Sequence, residues 1–299
     1  MARQPVLPRN DSNPVQTGRQ RGAAFSEIKR ALRNIQRGVL EQFEQIQYRE
    51  VTGNASAESV TYEYLLDANV LDNMNRILAD MIDEYVMRAQ NGEPIVIGQV
   101  DLSYQTATAT AVTNIAVQSE DFRRTVEETL LSQSYRTRIA LVRARVFEEM
   151  RGFTDATRTD LSRVLADGMG RGQSPRDIAR TIRDRIGVAQ SRAERIARTE
   201  INNAHRQAIR DEDAQANAEG IQTRLLWVSA LKPTTRVSHA ALHGKTMTRQ
   251  EVNDFYSRDA NSINCFCSQV SVLVDDNGEP LYGGLIKRLK SQGKEYFKN

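Results

Sequence analysis

Apolar residues fall into helical stripes along most of the chain. Phe25, Ile28, Leu32, Ile35, Val39, Phe43 and Ile46 are separated by steps of three and four, which places them on one face of an α-helix. The stripe could also serve as a coiled-coil seam; packing within the chain is the simpler use. A break is predicted at Gly53-Asn54. A second stripe then runs through Tyr64, Leu65, Ala68, Leu71, Ile77, Leu78, Met81, Ile82 and Tyr85 to a stop at Asn91-Gly92. Two long antiparallel helices are the simplest picture. Between Glu93 and Glu120 the only charge is Asp101, and the alternating run YQTATATAVTNIAVQ predicts an extended segment or hairpin.

Helical spacing returns from Asp121 to Met150, with Phe122, Val126, Leu130, Val142 and Val146 near one side, and a shorter helix is predicted over Asp155 to Ala166. Gly168, Gly170 and Gly172 end it, and Ser174 caps the next, with Asp177 in its first turn and Ile178, Ile182 and Ile186 on one face. The glycines suggest a phosphate loop, but no Gly-Lys-Ser/Thr follows them. From Ala189 to Asn217 a further helix presents Ala189, Ala193, Ile196, Ala197, Ile201, Ala204 and Ala208, small residues that permit close packing. Its lone His205 falls on a polar face and is expected to be solvated. Gly220 stops this helix, and the segment around Leu225 and Trp227 reads as a short strand with Trp227 as a core anchor. Thr248 and Glu251 form a capping box for a short helix.

The pattern predicts an α+β protein: a predominantly α-helical N-terminal region with long helices, then a small α+β domain with a short antiparallel sheet. The expected organisation is a flexible basic arm at 1–24, a helical region at 25–153, the small domain at 154–275 and a basic C-terminal tail at 276–299.

Charge adds a feature that periodicity does not show. The formal net charge of +3 is unevenly spread: residues 1 to 24 carry a net +3, residues 281 to 299 a net +4, and the body a net −4. Basic ends gain affinity for polyanions through counterion release. Arg19, Arg21, Lys287, Arg288 and Lys290 are therefore the candidate contacts to DNA or a partner, although ordinary solvated tails have the same composition. No apolar leader and no run of about 18 apolar residues is present, so neither secretion nor a membrane segment is expected. The two cysteines, Cys265 and Cys267, are too close in sequence for an unstrained disulfide.

The order RIARTE, small-residue helix, Gly, apolar-Trp, TRxxHxxLxG and Cys-x-Cys before a terminal strand is similar to that of the phage Mu protein F-like minor head proteins, over residues 154 to 275. The family pattern falls here on Arg198, Thr199, Glu200, Trp227, Arg236, His239, Leu242, Gly244, Cys265 and Cys267. The resemblance implies a minor head (capsid) protein of a tailed bacteriophage and not an enzyme. It also implies a virion location in the capsid interior or portal vicinity, with the host cytoplasm as the place of assembly. Portal protein, other capsid proteins and packaged double-stranded DNA would be its partners, and head morphogenesis, genome packaging or ejection its roles. One departure matters: the family's Pro-rich, His-containing lead into Cys-Arg-Cys is replaced by SRDANSINCFC.

His239 and His243 lie four apart, so on a helix both imidazoles would share a face, and Cys265 with Cys267 would complete four ligands suited to a structural zinc. The same thiols could instead pack as small hydrophobes. Arg198, Glu200 and Arg236 read as a charged cluster tying the long helix to the small sheet, and with Trp227 they make up the expected structural motif. The competing reading is a metal-dependent nuclease acting on phage or host DNA, for which no general base stands beside the ligands.

Overall fold

A computed structural model describes residues 3–52 and 60–298; the break expected at Gly53-Asn54 lies outside the described residues. The structure bears out the α+β class. The chain groups into two compact units that interleave along the sequence. One gathers 23–98 and 144–197, the other 1–22, 99–143 and 198–299.

The first of these is built on α1 (Gly18–Glu44), whose stripe Ile28, Leu32, Ile35, Val39 and Phe43 is buried as the spacing demands. Gly38 lets α2 (Ala68–Ile82) come close: a Cβ there would strike the sulfur of Met81. Asp67 caps α2 by accepting from the Val70 amide at 2.8 Å, and the helix widens into a π-turn at Asp83–Met87. Tyr64 is not in this helix. It ends strand β2 (Val60–Tyr64), which pairs antiparallel with β1 (Tyr48–Thr52). Aromatic and β-branched residues favour that pairing, and Tyr48 packs against both Tyr62 and Tyr64. The hairpin docks where Gly172 sits at φ +64°, its carbonyl accepting from the Tyr62 amide at 3.0 Å.

The helices expected at Asp121–Met150 and Asp155–Ala166 are resolved differently. A short α4 (Val126–Leu131) is capped by Thr125 and Glu128, and a single α5 runs from Gln133 to Gly170. Gly168 does not end it, because its bare Cα is where Ile178 packs; a Cβ would lie 2.7 Å from Ile178 Cγ1. Likewise α6 (Pro175–Ala218) joins two expected helices into one. Ser174 caps it as expected, its hydroxyl accepting from the Asp177 amide at 3.1 Å.

In the other unit, α6 backs a three-stranded antiparallel sheet in the order β4-β3-β5, with β3 at Thr223–Val228, β4 at Thr246–Met247 and β5 at Ser268–Leu273. Leu225 faces Ser271 and Trp227 faces Gln269. The Thr/Ala run is not extended; it forms helix α3 (Ile97–Gln118). Alternation misleads here because alanine favours helix and the threonine hydroxyls bond within it, Thr106 to the Leu102 carbonyl and Thr110 to the Thr106 carbonyl. Its amides finish the open edge of β5. Asn114 and Gln118 donate to the Ser271 carbonyl at 2.8 and 2.9 Å, and the Gln118 side-chain oxygen accepts from the Leu273 amide at 3.2 Å.

Both expected tails are also corrected. Residues 6–17 lie along this unit, with the Val6 amide donating to Asn114 at 2.7 Å, the Thr17 hydroxyl to Asn202 at 2.5 Å, and Val15 fully buried. Within 276–299 the chain forms α9 (Gly283–Tyr296), whose Leu285, Ile286 and Leu289 pack on Leu226 and Val272. Counting charge alone missed that apolar stripe. Among the described residues, no helix is long and apolar enough to cross a membrane.

Candidate metal centre

The centre grows from three local pieces. A short helix, α7 (Val237–Ala240), follows β3 and carries His239. A second, α8 (Arg249–Ser257), opens with the expected Thr248–Glu251 capping box and lays Phe255 and Tyr256 against Trp227, at centroid distances of 5.1 and 5.2 Å. After α8 the chain turns through Asn261 to Asn264 and delivers Cys265 and Cys267 at the start of β5. Trp227 is the fully buried floor, its indole 6.1 Å from the His239 ring and its N–H donating to Ser229 at 3.0 Å.

His239, Cys265 and Cys267 converge, their ligand atoms all within 4.8 Å of one another and all three side chains buried. Cys265 Sγ lies 3.3 Å and Cys267 Sγ 3.8 Å from His239 Nδ1. Two thiolates and an imidazole around a tetrahedral zinc would stand about 3.5 Å apart, given bond lengths near 2.0–2.3 Å, so the three residues fit such an ion. The far side of the imidazole is also arranged for it. His239 Nε2 lies 3.2 Å from the Asn261 side-chain oxygen, the type of outer partner that orients a metal-binding histidine. Its neighbour Arg236 Nη1 is at 3.3 Å.

His243 does not join them. The chain leaves α7 after one turn, so the i, i+4 relation expected on a longer helix is lost, and His243 Nδ1 accepts from the Ser229 amide at 3.0 Å. Among the described residues the group therefore has three protein ligands. Its free side opens on a pocket of about 190 Å³ lined by Lys232, Thr234, Thr235, Arg236, Asn264 and Phe266.

The thiols sit in a field that favours one negative charge. Cys265 is held well below the ordinary thiol range, first by a hydrogen bond from Cys267 and then by Arg206 and His239, against the opposing effect of burial. Cys267 is pushed up by the same bond and by burial. Arg206 is fully buried; burial alone would weaken its charge, but Tyr256, the two sulfurs and Glu200 more than compensate. Arg206 donates to the carbonyls of Cys265 at 3.0 Å and Ser262 at 3.1 Å, and Asn202, one turn earlier, donates to the same Cys265 carbonyl at 2.8 Å. Helix α6 thus clamps the cysteine turn through a polar pair at i, i+4.

Of the expected charged cluster, both arginines bond to the turn between α8 and β5. Arg198 donates to the Asn264 side chain at 2.8 Å, and Arg236 to the carbonyls of Asn261 and Ile263 at 3.2 and 2.9 Å. Glu200 is buried and accepts from Asn203 at 3.4 Å. Asn261, Asn202 and Arg206 were not singled out in the sequence. The one signal for the last two was a pair of polar residues four apart beside a small-residue face.

His205 is buried rather than solvated. Among the described residues its Nδ1 has no hydrogen-bond partner, and its pKa falls to about 3, through burial first and Arg206 second. Of the candidate contact residues, Arg19, Lys287, Arg288 and Lys290 are exposed, whereas Arg21 is half-buried against Phe266.

A small antiparallel sheet, a long helix behind it and a histidine held against a Cys-x-Cys turn make a compact α+β module with a group that could hold a metal ion. Residues 159–270 match the family model described as phage Mu protein F like protein, so this segment of the chain is Mu F-like. Such a domain marks a phage head-morphogenesis protein. No curated protein and no solved structure matches the chain.

Proposed function

We propose that this protein is a minor component of a tailed-phage head. It is seated near the portal with other capsid proteins, beside the packaged double-stranded DNA, and acts in head morphogenesis and in genome packaging or ejection. The observation that carries the reading is the Mu F-like match over residues 159–270, which spans His239, Cys265 and Cys267. In this reading the three residues hold a structural zinc that pins the cysteine turn to α6 and α7. The exposed cations Arg19, Lys287, Arg288 and Lys290 supply sequence-independent contact to phosphate or to an acidic capsid surface. Assembly takes place in the host cytoplasm and the finished protein resides in the virion.

The open side of the metal group keeps a nuclease reading in view, since a bound ion with a free position can activate water. Burial of all three ligands and the lack of a carboxylate or free histidine at the pocket rim favour the structural role. Mass spectrometry of purified particles should find the protein at a few copies per head. Its absence from finished particles would overturn the reading, as would plasmid degradation in Mg²⁺ or Zn²⁺ that disappears in His239→Ala.

A further inference from the structure

The Cys-x-Cys spacing that turns both sulfurs inward leaves Phe266 between them on the other side, half-buried at the rim of the 190 Å³ pocket. Its ring is occupied by two cations. The Arg21 guanidinium lies 4.5 Å from the ring centroid and the Lys232 ammonium 3.9 Å. A cation is attracted to the face of an aromatic ring, and here that attraction holds two like charges on one ring. Arg236 grips the adjoining turn through the carbonyls of Asn261 and Ile263, both neutral oxygens.

The cations weaken one another. Lys232 is lowered by burial first, then by repulsion from Arg21 and Arg198, and Arg21 falls to about 10 through burial and Arg198. Positive charge gathered in this way on a ring and on neutral oxygens is a standing electrostatic cost, which an incoming anion would relieve. The pocket is smaller than the about 300–1,000 Å³ typical of drug-sized ligands, and its rim carries the hydroxyl-bearing Thr234 and Thr235. A compact, multiply charged oxyanion suits a guanidinium fork beside an ammonium better than a single carboxylate does.

We propose that Lys232 and Arg236 in the pocket lining, with Arg21 over the Phe266 ring that also lines it, form a receptor for a phosphate group. The group can come from free phosphate or from a DNA backbone; the DNA source rests on the proposed seat beside the packaged genome. The site needs no metal beneath it, and it is separate from the exposed cations of α9.

The test uses the full chain with inorganic phosphate, pyrophosphate and a short DNA duplex as probes, read by thermal shift and by calorimetric affinity. Phosphate and pyrophosphate should raise the melting temperature of the wild type. Lys232→Gln, a half-exposed change that removes like-charge repulsion, should melt no lower than wild type without anion, yet bind phosphate at least about tenfold more weakly. Lys29→Gln, at an exposed lysine of α1, should leave phosphate affinity unchanged. If the duplex is a source, its affinity should fall in Lys232→Gln and its salt slope shrink by about one phosphate contact. Phosphate binding without duplex binding supports the receptor with free phosphate as its source and counts only against the DNA-adjacent seat. The proposal is overturned if phosphate neither binds nor stabilises the wild type, if Lys232→Gln binds it as well as wild type, or if an acidic peptide outcompetes phosphate at the site.

Discussion

His205 sits in α6 with its ring sealed from solvent and Arg206 beside it. Both disfavour the imidazolium, so the folded protein holds this residue neutral down to about pH 3, while the unfolded chain protonates near 6.5. The unfolded state therefore binds more protons between those values. The stabilising contribution is complete above about pH 6.5 and drains away as the pH falls towards 3, at about 1.4 kcal/mol per pH unit. Urea unfolding of wild type and His205→Gln across that range should give a stability difference that is flat above about pH 7 and shrinks steadily below it. A constant difference would show that the ring is not shielded. The grouping of His239 with Cys265 and Cys267 was legible because Cys-x-Cys and a nearby histidine suit one metal. His205 was misread because the polar residues around it, such as Asn202 and Arg206, spend their polarity on the Cys265 carbonyl rather than on water. His239→Ala should abolish stoichiometric zinc in metal analysis and lower the melting temperature; full zinc retention would exclude Nδ1 as a ligand.

Helix α3 is a case in which burial overrides a local alternation. Read alone, Thr-Ala-Thr-Ala suits a strand, yet Asn114 and Gln118 are needed at helical spacing to reach the Ser271 carbonyl together. No local signal shows a requirement that comes from more than 150 residues away. Gln118→Leu would leave the Leu273 amide without its acceptor and should cost about 1–3 kcal/mol, the penalty for a stranded buried polar group. Thr106→Ala, at an exposed hydroxyl bonded only within the helix, should cost under about 0.5 kcal/mol. Chemical denaturation of both variants tests whether the β5 edge depends on α3. By contrast, α1 and the Ser174 cap were readable, since each rests on near neighbours in sequence.

On the scale of the whole chain, the α+β class and the helical first half followed from periodicity, while the interleaving of the two units did not. Hydrophobic spacing reports which face of an element is covered, not which distant segment covers it. Leu7 illustrates this: it lies in a proline-bearing stretch with no periodic pattern, yet packs on the cluster of Leu226, Val272 and Leu289. If the zinc pins the turn as proposed, prolonged chelation should lower the melting temperature of the intact chain and zinc should restore it. An unchanged transition would mean that the thiols merely pack.

The placement of the N-terminal segment has a consequence for synthesis. Val6 and Thr17 bond to residues 108 and 185 positions further on, and the strand that completes their unit ends at Leu273. Chains emerge from the ribosome N-terminus first, so Thr17 waits for Asn202, and their unit waits for the segment through Leu273 to emerge. The unit formed by 23–98 and 144–197 can close earlier. Emergence of the segment through Leu273, rather than the appearance of the first helices, sets the moment at which the cysteine turn can be assembled.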